Sequence, residues 1–276
     1  LKLRQRENGI LMQTVLLTSN NLRHKYLAHQ ISENTDLQLV ITEKKSPAIT
    51  DTSGMDPADA TFIDQHFKKR AASEEDYFGA YHNFPEAELL EVEHGMMNSG
   101  QVVERLKALD PVFILLFGTS IIMSQILNHF KNRVINFHLG LSPYYRGSAT
   151  NLFPLYYNEP ECIGATLHLA SAEVDRGAIL YQFRPEISKD DSLHDIGNKT
   201  ILKGGKLLPK VLEAYRNTEI ETIEQQGAGR VCKIKDLTPE KLQKIYQNIE
   251  QGLIEEYLQD KKRRDLAFKI VQPELL

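Results

Sequence analysis

Residues 133–147 read RVINFHLGLSPYYRG, and the point where strand gives way to turn inside this stretch decides how the chain is laid out. The first six residues carry Val134, Ile135 and Phe137, the apolar side chains of a buried strand. Yet that strand also holds an amide and an imidazole, Asn136 and His138, at its end. Side chains two apart on a strand point the same way, so these two project side by side. If the strand is parallel to its neighbours, they lie at its carboxyl end, where open α/β sheets bind ligands. An amide can donate to a developing oxyanion, and an imidazole can shuttle a proton near neutral pH. The same spacing also suits two polar groups that merely satisfy the backbone of the following loop. The residues alone leave both readings open.

Working outward, PVFILLFG (111–118) reads as a central buried strand. Ahead of it come strand-like TVLL (14–17), LQLVIT (37–42) and a weaker ELLEVE (88–93). Helical spacing of Leu22, Tyr26 and Ile31 follows the first of these, with Asn20 or Asn21 as its cap. Asp56 caps a second helix with Pro57 in its first turn, and Phe62, Ile63 and Phe67 form its apolar face. Residues 99–109 and Ser124 to Phe130 also read as helical. Strands alternating with helices argue for an α/β fold built on a doubly wound, mostly parallel sheet. Beyond it, Ile163 to Leu169 and Ala178 to Ile187 are expected to pair around the turn EVDRG. Ser192 and Asp195 form a capping box that opens a long helix, with a break expected at Pro209. Strand-like GRVCKI follows. An amphipathic helix begun by Thr238 and Pro239 then carries Leu242, Ile245, Tyr246, Ile249 and Leu253 on one face. The polar, turn-rich EKKSPAITDTSGM (43–55) is expected to be a mobile loop. The expected division is a catalytic domain over residues 12–217, a short C-terminal α+β appendix over 218–276, and a loose leader over 1–11.

The 276 residues can bury a sizeable core, and 41% hydrophobic with 25% charged residues is an ordinary globular balance. The net charge of -4 offers no global basic field for nucleic acid. The two cysteines, Cys162 and Cys232, form no CxxC pair, which fits a reducing, cytoplasmic setting. The longest apolar run, VFILLFG, is far too short to span a membrane.

NFHLGLSPYYRG resembles the Asn-x-His…Pro-x-Tyr-Arg-Gly signature of the folate-dependent formyltransferases. HLASAEVDRGAILYQ is similar to that family's second motif, whose Val-Asp-x-Gly carries an aspartate. LLFGTSII resembles its pterin-binding strand and loop. The likeness covers about residues 12–215, and the three segments stand in the family's order. It implies the fold already argued. It also implies catalytic roles for Asn136 as donor to the formyl oxygen, for His138 beside the tetrahedral intermediate, and for Asp175 as the partner that orients or charges His138. Backbone groups of Ser120, Ile121 and Ile122 would read the pterin of 10-formyltetrahydrofolate, the co-substrate, with no metal required. His138, His168 and Asp175 could supply a two-histidine, one-carboxylate metal site, but no metal-binding spacing supports it, and His168 reads better as a partly buried strand residue.

The chain departs from the family pattern where Gly140 replaces the usual serine and Thr150 the usual proline. The glycine-rich phosphate loop is replaced by TSNNLRHK. Arg23 and Lys25 at a helix start could meet a phosphate or diphosphate, and Tyr144 with Tyr145 could line a ring. The expected acceptor is therefore a small-molecule amine, best a nucleotide-linked amino sugar. Methionyl-tRNA and glycinamide ribonucleotide are alternatives, with nucleic acid disfavoured by the charge and by the short appendix. A formyltetrahydrofolate hydrolase and a non-catalytic folate- or nucleotide-binding protein are the other readings. No membrane partner is expected, and a homodimer stays open.

Overall fold

The computed structural model describes residues 5–6, 9–45 and 51–275. Its strands in chain order are β1 (Gln5–Arg6), β2 (Gly9–Ile10), β3 (Gln13–Thr18), β4 (Asp36–Glu43), β5 (Glu88–Val92), β6 (Phe113–Leu116), β7 (Val134–His138), β8 (Tyr145–Gly147), β9 (Ala165–Leu169), β10 (Ile179–Phe183) and β11 (Arg230–Cys232). The helices are α1 (Leu22–Asn34), α2 (Pro57–Phe78), α3 (Gly100–Leu109), α4 (Ser124–His129), α5 (Phe153–Tyr156), α6 (Leu193–Arg216), α7 (Pro239–Glu250), α8 (Leu253–Gln259) and α9 (Lys261–Ala267). One sheet dominates, in the order β10-β9-β7-β6-β3-β4-β5. β5, β4, β3, β6 and β7 run parallel, and β9 and β10 continue the sheet antiparallel.

Both faces are covered, as a parallel sheet requires. Along β3, Leu16 packs with Tyr26, Leu27 and Ile31 of α1 and Ile201, Leu208 and Val211 of α6. Its neighbours Val15 and Leu17 face the other way, against Val102 and Leu106 of α3 and Ile126 of α4. The chain leaves β3 toward β4 on one side and returns to β6 on the other. The sheet's switch point thus lies between β3 and β6, with β7 beside it.

Three expectations change. Residues 5–6 and 9–10 pair as an antiparallel β1–β2 couple inside the stretch read as a loose leader; the rest of residues 1–8 lie outside the described residues. Residues 46–50 of the expected loop also lie outside them. α6 runs unbroken through Pro209. The missing hydrogen bond is offset by burial of Leu208, Val211 and Leu212 around it. The terminal amphipathic stretch is two helices, because Gly252 takes a left-handed φ of 93° and ends the first. Leu253 therefore opens α8. It joins Leu242, Ile245, Ile254 and Tyr257 in a core shared with Ile63 of α2 and Ile196 of α6.

Candidate active site

β7 delivers Asn136 and His138, and antiparallel pairing sets Asn136 opposite His168 of β9. The third contributor, Asp175, lies in the turn between β9 and β10. Its φ of 49° is a left-handed conformation that Asp tolerates better than most residues. Gly177, two residues on, is needed because a Cβ there would run into the Leu169 carbonyl. That close approach turns Asp175 back over β7. Gly147 (φ 96°) serves in the same way: a Cβ would strike the Cys232 carbonyl, while its N–H donates to Asp175 Oδ2 at 2.8 Å.

The Asn136 amide donates to Asp175 Oδ1 at 2.9 Å and to His168 Nε2 at 3.1 Å. His168 Nδ1 lies 2.8 Å from the Leu169 carbonyl, so Nδ1 carries a hydrogen, and Nε2 is the acceptor when the ring is neutral. His138 Nδ1 lies 3.2 Å from Asp175 Oδ2, and its Nε2 lies 3.1 Å from the Tyr145 carbonyl. Both partners are acceptors, so a protonated ring satisfies both and a neutral ring satisfies one. Burial would raise the Asp175 pKa, but the His138 and His168 rings and the Gly147 N–H overcome it and bring it down to about 2. For His138 burial wins and lowers the pKa, against the pull of Asp175; His168 adds to the lowering and the Tyr145 carbonyl opposes it. The outcome is a fixed anion, a ring of depressed basicity and an amide, joined in one buried group.

The pterin loop predicted from LLFGTSII follows β6. Leu116 pairs with Asn136, so the loop leaves the sheet beside the group just described. Gly118 (φ 69°) starts it, with His24 Nε2 2.8 Å from where a Cβ would stand. Ser120 is turned inward: its N–H and hydroxyl both donate to the buried Glu43 carboxylate, and Thr119 takes its carbonyl. The Ile121 carbonyl accepts from Asn98. Among the described residues, the Ile121 N–H and both main-chain groups of Ile122 carry no hydrogen bond. Ile122 is buried, whereas the Ile121 side chain beside those free groups is exposed, as are Met123 and Met96. A flat heterocycle with a polar edge fits such a place.

The remaining candidates are dispersed. Arg23 is buried and its guanidinium pairs with Glu74; burial, then Arg70, lowers its pKa to about 9, although Glu74 opposes this. Lys25 sits instead over the Phe84 ring. Lys45, not foreseen, donates to the Gly118 carbonyl near Arg23, and burial lowers its pKa to about 8. Tyr145 is in the core with its hydroxyl on Glu159, and it enters the site only through its carbonyl. Tyr144 packs on Phe268 and donates to the Lys269 carbonyl. Sequence reasoning missed His168 as a member of the group. The signal was there in HLASAEVDRG, which sets a histidine seven residues before the aspartate. Its use depends on the β7–β9 register. No cluster of three or more His, Cys, Asp or Glu residues among those described could hold a metal ion. No helix among them is long and apolar enough to cross a membrane.

Residues 12–212 match the family model described as formyl transferase. The chain belongs to the formyl transferase family. A methionyl-tRNA formyltransferase of Clostridium botulinum is 30% identical over 138 residues, which are 49% of this chain and 44% of that protein. The chain thus spans under half the length of this curated relative. Among solved structures, a sugar N-formyltransferase from a Shewanella species superimposes with a TM-score of 0.55 at 18% identity, covering 82% of this chain and 78% of that one. A phosphoribosylglycinamide formyltransferase from Anaplasma phagocytophilum gives 0.54 at 15% identity, covering 81% and 98%. At such identities the two structures share the formyltransferase fold with this chain.

Proposed function

We propose that this formyltransferase moves the formyl group of 10-formyltetrahydrofolate onto a primary amine, best that of a nucleotide-linked amino sugar. The observation that carries formyl transfer is the single hydrogen-bonded group of Asn136, His138, His168 and Asp175 beside the loop from Gly118 to Ile122. The folate supplies an activated formyl carbon, and its pterin edge meets the free main-chain groups of Ile121 and Ile122. The acceptor nitrogen bonds to the formyl carbon, the bond from that carbon to the folate nitrogen breaks, and the proton lost by the amine ends on the folate nitrogen. Asn136 donates to the formyl oxygen by giving up its longer bond, the 3.1 Å one to His168. His138, kept neutral by burial, takes the amine proton, and the Asp175 carboxylate balances the charge on the ring.

Acceptor choice is supported by Arg23, Arg70 and Lys45, which bring positive charge to the start of α1, close to Gly118. Among the described residues, Glu74 is the carboxylate that bonds to both arginines. Such a place suits a phosphate or diphosphate. The curated relative favours a second acceptor, methionyl-tRNA. The test is release of tetrahydrofolate from 10-formyltetrahydrofolate with nucleotide-linked amino sugars, glycinamide ribonucleotide or methionyl-tRNA as acceptor. Preference for amino sugars is expected. Preference for either other acceptor overturns the acceptor assignment, and amine-independent formate release overturns the transferase reading in favour of a hydrolase.

A further inference from the structure

The segment that follows α6 crosses the back of both loops that build the catalytic group. At its start, Ile223 and Ile179 exchange two backbone hydrogen bonds of 2.8 Å, at the outer edge of β10. At its end, β11 pairs in parallel with β8, setting Cys232 beside Gly147. Between these, Gln225 is buried although its neighbours Glu224 and Gln226 are exposed. Its amide nitrogen donates to the Asp175 carbonyl at 2.9 Å and to the Gly177 carbonyl at 2.8 Å. Two acceptors fix which end of the amide is which, and its oxygen has no partner. The residue is therefore bonded through its donors. Arg176 donates to the Gly227 carbonyl and Arg146 to the Ala228 carbonyl, so each catalytic loop also reaches out to the same segment. Gly229 makes the fit close, since a Cβ there would meet the Pro143 carbonyl.

We infer that Gln225 is a positioning residue for formyl transfer: it clamps the left-handed Asp175 turn so that the carboxylate reaches Asn136 and His138 together. The physical need is plain. Asp175 sits in a conformation that a non-glycine residue leaves readily, and nothing on its own turn bonds its carbonyl among the described residues. A catalytic group must be held within about half an ångström to work, and the bonds that hold it come from neighbours outside the reacting set.

Gln225→Met keeps the side-chain length and removes both donors. With the turn loosened, the carboxylate no longer holds the His138 ring. The ring's pKa, followed by NMR titration of the free protein, is expected to drop by half a unit or more, of the order seen when a charge partner moves. Turnover of 10-formyltetrahydrofolate with the best acceptor from the panel is expected to show kcat reduced roughly 10- to 100-fold and KM within about twofold. Gln226→Met, one residue along and exposed, should leave both readouts at their wild-type values. An unchanged His138 titration in a folded Gln225→Met protein overturns the role, as does an equal shift in Gln226→Met. If Gln225→Met does not fold, Gln225→Asn decides by the same titration. The kinetic arm rests on the formyl-transfer reading and the titration arm does not, so a protein inactive on every acceptor still tests the clamp.

Discussion

A methyl group at position 140 would have nowhere to go. It would stand 2.5 Å from His138 Nε2 and 2.8 Å from both Cβ and Oγ1 of Thr150. The two departures from the family motif, Gly140 and Thr150, therefore meet in space. The threonine fills what a side chain at 140 would occupy, and its hydroxyl donates to the Leu139 carbonyl. Gly140→Ala should push the His138 ring off the Tyr145 carbonyl and lower kcat at least about tenfold, because reacting groups misplaced by an ångström cost that much or more. Wild-type kcat in a folded Gly140→Ala protein would contradict this. Asn136→Ala should lose about 2.7–4 kcal/mol of transition-state stabilisation, the usual worth of one oxyanion donor, which is 100- to 1000-fold in kcat. Comparable turnover by Asn136→Ala would remove the amide from the mechanism. At this scale the meeting of Asn136, His138 and Asp175 was legible, because a motif sets their spacing. The partners of Arg23, Tyr144 and Tyr145 were not legible, since polarity alone does not reveal that these side chains meet Glu74, Lys269 and Glu159.

Elements were legible in proportion to how local their cause is. Caps at Asp56, Ser192 and Thr238 start their helices because one side-chain oxygen meets one early N–H. The continuity of α6 through Pro209 depends on tertiary packing, and the local stop at Gly252 is masked by apolar spacing that runs on to Leu253. Helices α2, α6 and α7 meet where two buried histidines flank a half-buried tyrosine: His66 and His194 lie 3.1 and 3.2 Å from the Tyr246 hydroxyl. Burial lowers the His66 pKa to about 3, with His194, Arg70 and Lys69 adding to it, and the His194 pKa to about 4, with Arg70 and Lys69 adding and Asp195 and Glu74 opposing. In the unfolded chain both rings titrate near 6.5. Below that pH the unfolded chain binds protons that the folded one refuses. Stability is thus fullest above about pH 6.5 and falls as pH drops toward 4, by up to tenfold in the folding constant per pH unit for each ring. His194→Gln keeps an amide for Tyr246 and removes one titration. Thermal melts from pH 7 to 4 should show a shallower decline for this variant; a decline as steep as wild type would place the pH dependence elsewhere.

For the molecule as a whole, the doubly wound sheet was legible because alternation of strand and helix leaves few topologies, and the order found here has both faces covered. Acceptor identity was less legible. The positive charge proposed to choose it is gathered from Arg23 on α1, Arg70 on α2 and Lys45 after β4, which no single motif carries. The C-terminal helices are bound into the fold by one core with α2, α5 and α6. Loss of any one of Leu242, Ile245 or Tyr257 to Ala should therefore lower the melting temperature in a single transition. Two separated transitions would show instead that those helices melt independently.

The two rims of the main sheet are protected by different means. β5 is a half-exposed strand carrying Glu88 and Glu91, with Arg105 paired to the first, and like charge on its outer row discourages a neighbour from adding on. β10 is fully buried, and its largely apolar ILYQF is the kind of segment that recruits its own kind. Its free row is taken by Ile223 at one end and by Val271 at the other, where the Gln182 N–H donates to the Val271 carbonyl at 2.6 Å. Shelf life should accordingly depend on a few residues far from the chemistry. Protein cut after Phe268 is expected to keep its catalytic constants when fresh and to gain light scattering and thioflavin fluorescence on storage, while the full chain stays clear. A truncated protein equally clear after the same storage would show that Val271 is not what keeps β10 from templating its copies.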